Sequence, residues 1–198
     1  MSGSVSPGRA PVVRPDAQAA FRLARRTFMA GQRVDMRRLA DELGVDRSTL
    51  FRWVGNRDQL LVRILTSLAD PSIRAAAEQA SGTGGARIAR IAGIYAQALI
   101  DAPYYRVFLR REAERALRLI TTKASPLQQH VVGAFAELIR QEADRGDLEP
   151  PMAVDDLAYL LVRIVESFIY ADSITGDEPD AAKAEAAIGA LLGCRPAR

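Results

Sequence analysis

Arg47, Ser48, Thr49 and Arg52 lie within one short run of the chain, directly after Gly44-Val45-Asp46. Side chains of these types, turned outward from one helix, make a hydrogen-bonding edge suited to nucleotide bases. An arginine fork bonds guanine O6 and N7 bidentately, which is the commonest specific contact in the major groove. Phe51, in the same run, offers an apolar contact to a thymine methyl or a sugar. Arg37 and Arg57 supply positive charge for phosphates, which hold register without reading sequence. The chemistry implied is recognition of double-stranded DNA.

The elements that must hold these side chains are legible around them. The stretch from Asp35 to Leu61 reads as a helix, a three-residue turn, a second helix and the start of a third. The first runs Met36 to Leu43, with Asp35 placed to cap its open N–H groups. Leu39, Ala40 and Leu43 give it one apolar side. Gly44 stands where a left-handed residue must end that helix, and Val45 drops into the angle between the two. Asp46 is placed to cap the next helix, Arg47 to about Trp53, which sends Leu50 inward. Asn56 and Gln59 make a capping box for the helix that begins at Arg57. This is the layout of a helix-turn-helix.

The same residues resemble the tetracycline-repressor-like (TetR) family of transcriptional regulators. The family signature includes Thr-Leu-Tyr-x-x-Phe-x-x-Lys-x-x-Leu-Leu. Thr49, Leu50, Phe51, Val54, Arg57, Leu60 and Leu61 occupy its places, and the likeness is specific over residues 15–65. Phe51 stands for the usual Tyr and lacks the hydroxyl that would reach a phosphate; Arg57 stands for the usual Lys and keeps the charge. The resemblance implies a homodimer through the last two helices, a palindromic DNA operator and a small-molecule effector. Two further segments, Ala102 to Glu114 and Glu166 to Asp180, are similar to actinobacterial regulators of quorum-sensing-signal degradation. That likeness implies a lactone or acyl effector and a repressor released by it. A ligand-independent dimeric DNA-binding protein or activator is the alternative.

Beyond residue 65 the chemistry-bearing residues are fewer. Tyr159, Arg163, Glu166 and Tyr170 are spaced to share one face of an otherwise apolar helix. A charge there is costly unless paired or wet, so Arg163 and Glu166 serve either a ligand's polar groups or a salt bridge across a dimer interface. Tyr95, Tyr104, Tyr105, Phe108 and Phe135 either line an apolar effector pocket or are plain core. His130 is the sole histidine and Cys194 the sole cysteine. Asp155 and Asp156 open a helix, where carboxylates favour the dipole. Without a phosphate loop or a spaced ligand set, no catalytic residues, metal or cofactor are expected and the chain reads as a non-enzyme.

Composition agrees. Residues 1–65 carry a balance of +6 and the remainder −3, within a net charge of +3. Positive charge thus gathers on the segment bearing the helix-turn-helix, as phosphate binding requires. No signal peptide or membrane span is evident, which predicts a cytoplasmic protein. The fold expected is all-α with about nine helices. Residues 1–14 read as a disordered arm whose Arg9 and Arg14 either reach a minor groove or form a plain tail. Residues 15–56 read as the DNA-binding domain and residues 57–198 as a helical effector-binding and dimerisation domain. Within the latter, the helix from Arg57 is expected to stop near Ala69, before Pro71.

Overall fold

The structure, a computed structural model, describes residues 15–122 and 125–194. The expected arm, with Arg9 and Arg14, lies outside the described residues. Eleven helices and no strand are found among the described residues: α1 (Ala17–Met29), α2 (Met36–Leu43), α3 (Arg47–Val54), α4 (Arg57–Gln79), α5 (Gly84–Asp101), α6 (Pro103–Arg111), α7 (Ala113–Thr121), α8 (Pro126–Asp144), α9 (Val154–Ile169), α10 (Ala171–Ile174) and α11 (Ala181–Leu191). The expectation of nine was short by two. The segment after Pro103 breaks into α6 and α7 at Glu112, whose φ of −136° and ψ of 45° leave the helical region. The four-residue α10 is the other addition.

The N-terminal caps follow from local chemistry. Asp35 accepts from the N–H groups of Arg37 and Arg38, both at 2.9 Å. Gly44 closes α2 at φ 65°, ψ 36°, a left-handed conformation that a Cβ makes costly. Asn56 and Gln59 satisfy each other's backbone reciprocally at 2.8 and 2.9 Å. Asp46 differs from expectation: it precedes α3 without a side-chain cap. Leu39, Ala40, Leu50 and Val54 are buried against Ala20, Ala24 and Phe28 of α1, so α2 and α3 keep their polar faces for solvent.

α4 is longer than its sequence suggested, continuing through Pro71 to Gln79. A proline removes one backbone hydrogen bond, yet Leu65, Ala69, Ile73 and Ala76 carry the buried stripe across it. Packing on α5 and α8 outweighs the lost bond. The Ser72 hydroxyl, next to the proline, bonds back to the Leu68 carbonyl at 2.9 Å.

The larger part of the core lies between α4, α5, α8, α9 and α11. Ile88, Ile91, Phe135, Ile139, Leu157, Leu161 and Ile188 are almost fully enclosed there. Gly93 lets α11 approach α5 closely: a Cβ on it would lie 2.9 Å from Glu185 Cβ. Glu142, wholly buried, receives the Gly84 N–H at 2.6 Å, Arg87 at 2.9 Å and Arg145 at 2.8 Å. It ties the end of α8 to the start of α5, where a negative charge suits the helix dipole.

Candidate functional site

Two regions bear on function, and α4 connects them. The first is the outer face of α2 and α3. Arg37, Arg47, Ser48, Phe51 and Arg52 are exposed and Thr49 is half-buried. Phe51 is 59% exposed. Five of the seven residues expected to meet DNA are therefore exposed.

Arg57 does not. Its Nε donates to the Val34 carbonyl at 2.6 Å, and both terminal nitrogens fork onto Glu112 at 2.6 Å each. Glu112 sits at the break between α6 and α7, so no sequence spacing linked it to Arg57. The guanidinium holds the Glu112 carboxyl below its ordinary range, against the opposing effect of burial. Beside it, Asp58 bonds Arg115 and Arg118 of α7, and these two cations outweigh its burial and keep its carboxyl low. The first turn of α4 is thus pinned to α6 and α7. Phe28 of α1 adds an apolar junction, with ring centroids 5.8 Å from Tyr104 and 5.4 Å from Phe108.

The second region is a narrow cavity among α4, α5, α6, α7, α8 and α9, about 50 Å³ in volume. Leu65, Leu68, Ala69, Leu99, Val131 and Val162 give it apolar walls. Tyr95, Tyr104, Tyr105, Phe135, Glu166 and Tyr170 also line it, so six of the nine residues expected around an effector come together. The Tyr105 and Tyr170 hydroxyls are 2.6 Å apart and buried. Burial pushes the tyrosines at 95, 105 and 170 well above their ordinary values, so all three keep their protons. Glu166 is 6% exposed. Burial raises its carboxyl to about 7 against the attraction of Arg163, which bonds it at 2.5 Å.

Three expected residues stand elsewhere. Phe108 turns toward Phe28 instead of the cavity. Tyr159 shares the face of Glu166 but lies two turns earlier, roughly 10 Å along the helix, and is 48% exposed. Arg163 runs along the flank, where it reaches the Thr121 carbonyl at 3.3 Å as well as Glu166. Its pairing with Glu166 is within one chain.

Gln128 was not anticipated. It is buried on the cavity wall and its side-chain nitrogen has no hydrogen-bond partner. A signal was present: Gln128, Val131 and Phe135 have helical spacing, which puts an amide on the inward face of α8. His130, facing outward from α8, pairs with Asp70 of α4 at 2.5 Å. No cluster of three potential metal ligands occurs among the described residues, and no described helix is long and apolar enough to cross a membrane.

Residues 83–193 match the family model described as "Tetracyclin repressor-like, C-terminal domain". The chain is similar to the R. erythropolis transcriptional repressor QsdR from the TetR family: 28% identity, 92% of this chain and 96% of that one covered, TM-score 0.83. It also matches the TetR-family regulator PfmR of Thermus thermophilus at 17% identity, over 90% and 99% of the two chains, with TM-score 0.45. No curated protein matches it significantly.

Proposed function

The chain belongs to the tetracycline-repressor-like family of transcriptional regulators, and on that premise we propose that it is a homodimeric, effector-released repressor. The exposed face of α3 enters the major groove, with Arg47 and Arg52 as donors to guanine and Ser48, Thr49 and Phe51 beside them. Arg37 meets phosphates. Arg57 is withdrawn from the phosphate role by its fork onto Glu112. It holds the reading helices to the body instead.

The observation that carries this reading is the course of α4. One helix of 23 residues begins immediately behind α3 and then lines the cavity with Leu65, Leu68 and Ala69. At roughly 1.5 Å per residue it spans about 35 Å, enough to join both regions as one lever. An effector that widens the cavity displaces α4 and α7, and with them the Arg57–Glu112 and Asp58–Arg115 ties. In a two-fold dimer that displacement changes the separation of the two reading heads. A differential of about 3 kcal/mol between the two spacings lowers operator affinity by about 150-fold.

The effector is a small, mostly apolar molecule with a polar end, in keeping with the walls of the cavity; a lactone or acyl compound has that form. Dimerisation uses α9 and α11, whose outer faces present Tyr159 and Leu160 on one helix and Ala182, Ala186 and Ala190 on the other. Small residues at a four-residue interval let a partner helix pair come close, and a two-fold axis suits a palindromic operator. The protein works in the cytoplasm, where that operator is. Arg52→Ala tests the groove assignment. It is expected to weaken binding to a selected duplex about 5- to 150-fold, the range for one bidentate base contact, with the melting temperature unchanged. Unaltered affinity would remove α3 from the groove.

A further inference from the structure

The polar groups that face the cavity are not a symmetric set. The Gln128 nitrogen is buried and unpartnered, and an amide N–H left without an acceptor is costly. In the Tyr105–Tyr170 pair one hydroxyl donates to the other, which leaves one phenolic hydrogen unspent between them. Both features ask for an acceptor from a bound molecule. Against them stands Glu166, a carboxyl among apolar walls. Among the described residues no Lys or Arg lines the cavity; Arg163 is held on the flank by Glu166 and the Thr121 carbonyl. A second carboxylate would share this space with the first and have no cation of its own.

We infer that the cavity selects an uncharged, mostly apolar molecule whose carbonyl oxygen seats on the Gln128 side-chain amide, and turns away the corresponding free carboxylate. The ligand class is therefore an intact ester, lactone or amide. The sensor distinguishes such a compound from its own hydrolysis product, because hydrolysis exchanges a neutral carbonyl for an anion. The inference rests on the reading of this cavity as the effector site and adds the charge and the anchoring atom of the effector.

The test is calorimetric titration of the full chain with octanamide, methyl octanoate, γ-octalactone, octanol and octanoate at about pH 8, above the value near 7 at which Glu166 ionises. At least one neutral compound is expected to bind, and octanoate at least about tenfold more weakly than octanamide. Glu166→Gln should narrow that gap. Gln128→Leu should weaken octanamide binding while the ligand-free protein melts at the same temperature or higher, since the amide nitrogen has no partner to lose. Octanoate binding as tightly as octanamide would overturn the inference and leave the effector site standing. Preference for octanol over every carbonyl compound would overturn the Gln128 anchor, as would undiminished octanamide binding by Gln128→Leu. Binding by none of the compounds would remove the effector-site reading and the inference together. The comparison within the unmutated chain needs no variant to fold.

Discussion

Replacing Glu166 by Gln should make the protein more stable at neutral pH and leave it nearly unchanged in acid. The Glu166 side chain is 8% exposed and its ionic partner, Arg163, is 41% exposed, so solvent screens the pair from one side. Burial prevails and lifts the carboxyl from 4.5 to about 7. The folded chain then holds this proton more tightly than the unfolded one. Stability from the protonated form is complete below about pH 4.5 and is lost as the pH rises to about 7, flattening above. At about 1.36 kcal/mol per unit the loss is about 3 kcal/mol. Gln imitates the protonated acid and does not titrate, so the advantage of the variant should grow by about that amount across the window. Urea unfolding of the two proteins at roughly pH 5, 6, 7 and 8 gives the curve directly. A difference independent of pH, or one that shrinks as pH rises, would show that burial does not govern this carboxyl.

Two other substitutions probe the framework. Glu112→Gln removes the charge that Arg57 grips from both ends of its fork, and should cost about 2 kcal/mol in urea unfolding near neutral pH. Because the Glu112 carboxyl is held below its ordinary range, this deficit should shrink as the pH falls through the carboxylate range; a constant deficit would show that packing and not charge is responsible. Gly44→Ala forces a Cβ into a left-handed turn where nothing else lies within 4 Å, so strain alone should lower stability by about 1 kcal/mol. A thermal melt unchanged by that substitution would contradict the role given to the turn.

The contrast between Gly44 and Arg57 shows where the sequence was readable. Asp35, Gly44 and the Asn56–Gln59 box act on backbone groups a few residues away, so residue type and spacing contain the whole interaction. Arg57 finds Glu112 fifty-five positions on, across a break in helix geometry that local propensity does not mark. Its charge suggested a phosphate contact; the partner it has in the free chain lies in another element. Pro71 misled for the same reason: the local penalty was correct, but α5 and α8 supply packing that outweighs it. The common face of Tyr159, Glu166 and Tyr170 was also legible from spacing. Periodicity fixes a direction around a helix and not a position along it, so it did not reveal that the cavity ends before Tyr159. Gln128 fell between these cases; its inward spacing was visible, its missing partner was not.

The proposed function stands or falls on sequence-specific DNA binding by a two-fold dimer through α3. Selection of bound duplexes from a random library with the purified protein, repeated at two salt concentrations, examines that binding without any prior choice of operator. A palindromic site whose half-sites lie about one helical turn or more apart, with affinity falling steeply as salt rises, is the predicted result. Recovery of no enriched sequence, or of a single asymmetric half-site with little salt dependence, would contradict it.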